Sequence, residues 1–189
     1  LGVRFVDGSG TVVKNGGRVM KNVTGYDLVK LLAGSRGVLG VLSEVSFKVQ
    51  ALPDAEATLV VEGLDDTAGL AALRAALGSP FDVSGAARHS GRSLVRVEGM
   101  TGSVADRVGQ LRERLGADVT VVEGDASAVL WREVRDVVPL QGKPGDVWRI
   151  ATLPTAAAEL VTQLEGEALW DWGGGLVWVR TAPGTDLRA

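Results

Sequence analysis

Between Ala55 and Glu123 the hydrophobic residues keep switching period, and that order restricts the fold more than any other feature of the chain. "ATLVVEG" alternates as a strand, and "TAGLAALRAALGS" places Leu70, Leu73 and Leu77 at helical spacing. "FDVSGAARHSG" and "SLVRVEGM" follow as two strands, and "SVADRVGQLRERLG" carries the stripe Val104, Val108, Leu111 and Leu115. "ADVTVVEG" ends the run as a strand. An amphipathic helix repeats every ~3.6 residues and a half-buried strand every second residue, so the order reads β-α-β-β-α-β. That is the split βαβ, or ferredoxin-like, unit. Ser103 and Asp106 stand at capping-box spacing, which predicts the start of the second helix there, with Asp in place of the usual Glu.

The flanking segments have different textures. Downstream, "DASAVLWREVRDVV" reads as a helix, "DVWRIATLP" as a strand and "TAAAELVTQLEG" as a helix. "ALWDW" and "LVWVR" read as two strands around Gly173-Gly174-Gly175, and this second α/β pass is expected to extend the same sheet. Upstream, "RFVDGSGTVV" holds Asp7-Gly8 between β-rich runs, a hairpin signal. "NVTGYDLVKLLAGS" predicts a short helix with Thr24 as N-cap, Leu28, Leu31 and Leu32 as its apolar face, and Gly34 as its stop. "VLSEVSFKV" predicts a strand, and Pro53 marks a boundary because it lacks an N–H donor. The chain is thus expected to be α+β, with one domain over 1–52 and a second over 53–189.

Composition removes several function classes. The 189 residues are 46% hydrophobic and 23% charged, values of an ordinary globular chain. A net charge of −3 with scattered Lys and Arg gives no basic patch for nucleic acid. No apolar run approaches the ~20 residues of a membrane-spanning helix. The absence of cysteine excludes disulfides, thiol catalysis and iron–sulfur ligation by this chain, and fits a cytoplasmic setting. Leu1 enters directly into a strand pattern without a methionine, which suggests a piece of a longer protein.

Few side chains stand out as reactive. His89 is the single histidine, so no metal cluster is expected, and "RHSGRS" reads as a solvated turn. Asp27 and Glu44, the carboxylates flanking the glycine segment, either pair as acid and base or, more simply, fit the first turn of a helix and the outward face of a strand. No catalytic residue is assigned. Trp170 and Trp172 alternate onto one face of a strand, with Trp178 placed to pair across the turn; they serve either helix–sheet packing or docking of another subunit. Arg107, Arg112 and Arg114 read as a solvated helix face, the alternative being an arginine-rich docking surface.

The segment "KNVTGYDLVKLLAGSRGVLGVLSEVSFKV" spaces Gly34, Gly37 and Gly40 evenly. These glycines make either a helix cap and tight loop or a backbone surface that a cofactor approaches. A dinucleotide fingerprint needs strand, glycines, then helix, so that the pyrophosphate meets a helix N-terminus. Here the order is helix, glycines, strand, and the Lys-Ser/Thr of a P-loop is missing.

The same segment resembles the closing stretch of the FAD-binding domain in the vanillyl-alcohol oxidase/p-cresol methylhydroxylase superfamily. Members acting on 2-hydroxy acids carry K-N/D-x-T-G-Y-D-L and then G-S-x-G-x-L-G before a hydrophobic strand. Those elements stand at Lys21–Leu28 and Gly34–Val41. "LWREVRD", "VWRIATLP" and "DWGGGLVWVR" resemble the FAD-binding subunits of glycolate oxidases.

The resemblance implies the C-terminal part of a p-cresol-methylhydroxylase-type FAD-binding domain followed by a ferredoxin-like cap. It implies FAD contacts, mainly to the adenosine half, from Gly37, Val38, Leu39, Gly40 and Val41. Lys21, Asn22, Thr24, Gly25 and Tyr26 would approach the flavin side. It implies oxidation of a 2-hydroxy acid, glycolate to glyoxylate, in a cytoplasmic complex with sister flavoprotein and iron–sulfur subunits that can place it at the inner membrane face. The pyrophosphate loop of the superfamily is not in this sequence, so the chain is expected to be inactive alone. The other reading is a structural or assembly subunit with a degenerate flavin site and catalysis in a partner.

Overall fold

The computed structural model describes residues 1–18, 25–116 and 118–188. It divides into two compact units, Leu1–Ala51 and Leu52–Ala189.

The first unit is a three-stranded antiparallel sheet with one short helix. Strand β1 (Gly2–Val6) lies between β2 (Val12–Gly16) and β3 (Val41–Ser46). The β1–β2 connection closes on Asp7, whose Oδ1 accepts the Ser9 and Thr11 N–H groups at 2.9 and 3.0 Å. Hydrogen bonds from Ser9 and Thr11 hold that carboxyl below its ordinary pKa. Helix α1 (Leu28–Leu32) is capped by Asp27, whose Oδ1 accepts Lys30 N–H at 3.1 Å. The expected cap, Thr24, is therefore not the cap, and it lies outside the described residues. Leu32 packs on Val3 and Phe5, with Leu28 and Val29 beside it. Leu31, expected on the inner face, is exposed, because a single turn of helix turns only one side to the sheet. Gly34 follows the helix at φ +82, the left-handed stop that the sequence predicts.

The second unit is a seven-stranded antiparallel sheet in the order β7-β4-β6-β5-β9-β10-β8. Its elements are β4 (Ala55–Val61), α2 (Asp66–Leu77), β5 (Gly85–His89), β6 (Arg92–Gly99), α3 (Thr101–Leu115) and β7 (Val119–Glu123). Then come α4 (Gly124–Arg135), a 3-10 turn (Val138–Leu140), β8 (Asp146–Ala151), α5 (Ala157–Leu164), β9 (Glu167–Asp171) and β10 (Leu176–Thr181). The β-α-β-β-α-β run and the sheet extension both appear, and the α+β character with them.

Strand alternation splits the core in two. Leu59, Val95, Val97, Trp170 and Val177 face helices α2, α3 and α5 through Leu70, Leu73, Val104, Leu111 and Val161. On the opposite face Val60, Ala87, Leu94 and Leu169 meet Trp131, Val134 and Leu140 from α4 and the 3-10 turn. Ala76, not Leu77, completes the inner stripe of α2; Leu77 is 42% exposed. Helix α3 begins at Thr101 behind Met100 with no side-chain cap, so Ser103 lies inside the first turn and the expected capping box does not form.

Two arginines tie loops to this frame. Arg88, fully buried, donates to Asp66 at 2.8 Å, Leu64 O at 2.7 Å and Ser93 Oγ at 3.0 Å. Arg107, expected to be solvated, donates to the carbonyls of Glu98, Phe81 and Asp82 at 2.7, 3.2 and 3.3 Å. It satisfies backbone acceptors that the strand ends leave open.

Candidate functional site

In the first unit the glycine segment forms a tongue between α1 and β3. Ser35 O accepts Val38 N–H at 3.0 Å, closing a turn whose central residues, Arg36 and Gly37, both have positive φ, +52 and +81. Positive φ at both central positions is what a type I′ turn requires. A Cβ built on Gly34 or Gly37 meets nothing within 4 Å, so main chain is open to approach there. Gly40 has another reason to lack a side chain: a Cβ would stand 2.6 Å from Val6 O of its own sheet. Beyond the turn Val38 is 84% and Val41 69% exposed, with Leu39 also uncovered. The tongue thus offers bare backbone and an apolar flank, a surface suited to a ring or ribose.

In the second unit, the sheet face that α4 only partly covers holds a cavity of about 890 Å³. Ser127, Trp131 and Val134 are the buried stripe of α4. The next stripe, Ala128, Arg132 and Arg135, lines the cavity. Trp131 is fixed by a buried chain: its Nε1–H donates to Thr58 Oγ1 at 2.7 Å, Thr58 meets Ser127 Oγ at 2.7 Å, and Ser127 donates to Glu56 at 2.6 Å. Gly85 lets the ring lie on β5, since a Cβ there would be 2.7 Å from the indole. Arg96 stacks on Trp131 at 4.7 Å, and Arg149 stands 5.8 Å from the rings of both Trp172 and Trp178. Asp171 shares the cavity, and burial pushes its carboxyl above the ordinary value, opposed by the Trp172 N–H and by Arg96.

With this geometry in hand, the chain can be set beside known proteins. No protein-family profile matches it. It is 36% identical over 182 residues, 96% of the chain and 48% of the relative, to "Glycolate oxidase subunit GlcE" of Escherichia coli (strain K12). The similarity to GlcE runs through almost all of this chain and about half of that protein. Two partial matches agree. "Glycolate oxidase subunit GlcD" of Bacillus subtilis (strain 168) is 36% identical over 36% of the chain and 15% of the relative. "D-lactate dehydrogenase [cytochrome], mitochondrial" of Arabidopsis thaliana is 40% identical over 28% of the chain and 9% of the relative. The chain spans about half the length of GlcE and smaller shares of the other two.

Of the ten residues singled out in the sequence, Gly37, Val38, Leu39, Gly40 and Val41 stand together on the tongue and its exit into β3. Gly25 has φ +74 with open space at its Cβ, and Tyr26 is 89% exposed, its carbonyl accepting Asn15 Nδ2 at 3.1 Å. Lys21, Asn22 and Thr24 lie outside the described residues.

Other expectations need correction. His89 is not a solvated turn residue: it ends β5 and is 1% exposed. Trp170 and Trp172 do not share a strand face, because β9 stops at Asp171 and Trp172 begins a 3-10 turn at φ +54. Trp170 is core; Trp172 is 59% exposed at the cavity. Trp178 does pair across the turn, with Leu169 on β9 and Arg149 on β8. The cavity itself was not read from the sequence. Its one available signal was the crowding of tryptophans after residue 130, with Trp131, Trp148 and Trp178 within two residues of an arginine.

Proposed function

We propose that the chain is part of the FAD-binding subunit of a glycolate oxidase-like complex, taking part in oxidation of a 2-hydroxy acid such as glycolate to glyoxylate. The observation that carries this reading is the tongue: open main chain at Gly34 and Gly37 beside the uncovered side chains of Val38, Leu39 and Val41. Its likeness to GlcE over nearly the whole chain supports it. In this reading Gly37–Val41 hold the adenosine half of FAD, while Lys21, Asn22, Thr24, Gly25 and Tyr26 approach the flavin. When bound, FAD supplies the two-electron acceptor that hydroxy-acid oxidation needs.

The residues here bind and orient. Gly37 admits the cofactor edge without a side chain, and the apolar flank excludes water from it. Sister flavoprotein and iron–sulfur subunits would carry the electrons onward in the cytoplasm. Among the described residues no helix is long and apolar enough to cross a membrane.

The full-length protein that carries this chain is expected to purify with stoichiometric FAD, read from its visible absorbance. Gly37→Val should reduce flavin content sharply while leaving the far-UV circular dichroism unchanged. The 189-residue chain alone should not retain stoichiometric FAD, since pyrophosphate hydrogen bonds of about 1.5–3 kcal/mol each would be missing. A full-length protein without flavin would favour the assembly-subunit reading. Undiminished flavin in Gly37→Val would remove the tongue from the site.

A further inference from the structure

The cavity under α4 carries two kinds of wall, guanidinium and indole, and they are interleaved. Arg96 and Arg135 have carboxylate partners, Glu98 at 3.1 Å and Asp136 at 2.7 Å. Among the described residues no ion pair is formed by Arg132 or Arg149. The lining therefore presents two cations outside any ion pair, Arg132 and Arg149, among the faces of Trp131, Trp172 and Trp178; Glu56 and Asp171 also line it, and Arg132 acts on Asp136 from a greater distance.

Trp172 gives an independent indication. Its backbone sits at φ +54, a conformation that is strained for a residue with a Cβ and so carries a cost. Burial does not offset that cost, because the indole is 59% exposed. Asp171 holds the strained turn by accepting Trp172 N–H at 2.7 Å. The result is a ring turned over Arg149 at the cavity instead of one continuing the β9 strand.

Size and charge narrow the ligand. A volume of about 890 Å³ falls within the ~300–1,000 Å³ of small-molecule sites. A two-carbon hydroxy acid fills the space of two or three waters, at roughly 30 Å³ each, and would leave the indoles wet. A phosphate dianion fits poorly too. Helix α4 lines the cavity with its middle and last turns and so offers no free N–H groups, and the negative end of its dipole opposes two charges more than the one charge of a carboxylate. A flat ring bearing one negative charge satisfies both kinds of wall, because indole and guanidinium faces stack on aromatic rings while a guanidinium edge pairs with a carboxylate.

We propose that this cavity binds an aromatic monocarboxylate, with the ring against Trp172 and Trp178 and the carboxylate at Arg149 and Arg132. The site is built within the second unit, and the assignment is independent of the flavin reading.

The test is a titration of the 189-residue chain with 3-phenyllactate, followed by tryptophan fluorescence and calorimetry. Saturable binding is expected, with glycolate and the uncharged 3-phenylpropane-1,2-diol each weaker by about tenfold or more, the equivalent of ~1.4 kcal/mol. Arg149→Gln and Trp172→Leu, both at exposed positions, should each weaken phenyllactate by a similar factor without moving the thermal midpoint. Trp148→Phe, on the opposite face of the sheet, should leave it unchanged. Absence of saturable phenyllactate binding would overturn the proposal. So would glycolate binding as tightly as phenyllactate, or phenyllactate affinity indifferent to both cavity variants.

Discussion

The Nε2 of His89 has no partner among the described residues, and its Nδ1 reaches only Ser90 Oγ at 3.4 Å. Burial is the main cause of a pKa below the ordinary 6.5; Arg92 adds to it and Glu133 opposes it. The folded state thus prefers the neutral ring. Its contribution to stability is complete above the unfolded pKa of about 6.5 and is lost as pH falls through the lowered folded value. Urea unfolding is expected to show declining stability from about pH 7.5 to 5, and His89→Leu should flatten that slope. An unchanged slope in the variant would assign the decline to other groups. Asp171 has the opposite sign. Its pKa is raised, so its favourable share is present below the unfolded value of 3.8 and is lost as pH rises through the folded one. Asp171→Asn keeps an acceptor for Trp172 N–H and removes the buried charge. Its melting temperature should exceed that of the parent at pH 7, by a margin that shrinks toward pH 4; equal margins at both would refute the charge argument. Neither behaviour was legible in the sequence. "RHSGRS" is polar on both sides of His89, and the alternation Gly85, Ala87, His89 says only that these three share a face. What buries that face is a helix more than thirty residues later, and local pattern carries no record of it.

Helices and strands were the most readable level, because their periods are written into the side chains that pack. Val104, Leu111, Leu70 and Leu73 point inward as their spacing requires. Element ends were less readable. Ser103 and Asp106 have the letters of a capping box, yet α3 starts before them, since the β6 strand turns directly into the helix at Met100. The cavity was not readable at all: Arg96, Trp131, Arg149 and Trp172 come from four separate segments, and only the sheet order brings them together. Gly69 of α2 shows how such distant packing can invert a local rule. Replacing a glycine within a helix by alanine ordinarily stabilises it by about 0.5–1 kcal/mol. At Gly69 the added Cβ would stand 2.6 Å from Cζ of Arg88. That guanidinium cannot retreat without breaking its bonds to Asp66, Leu64 and Ser93. Gly69→Ala should therefore destabilise the chain, by ~1–3 kcal/mol as in other overpacked cores, measured by denaturant unfolding. A stabilised variant would mean that Arg88 is free to move.

At the scale of the whole chain, the apolar interior is unevenly shared. The second unit has two buried clusters, one on each face of a seven-stranded sheet. Among the described residues the first unit buries Val3, Phe5 and Leu32 together, and leaves Val41, Leu42 and Val45 of β3 uncovered. A chain of about 60 residues already buries only ~60% of its unfolded surface and is marginal for that reason. Leu1–Ala51 is shorter, and its helix is a single turn. The segment 52–189 expressed alone is therefore expected to unfold cooperatively, with near-UV circular dichroism from its packed tryptophans. The segment 1–51 alone should show no cooperative transition. In the intact chain, amides of β1 and β3 should exchange with solvent far faster than those of β4 and β6, because opening a small core exposes little apolar surface. Cooperative unfolding by 1–51 in isolation would contradict this division of the core, and would mean that three buried side chains and one hairpin suffice to hold the tongue in shape.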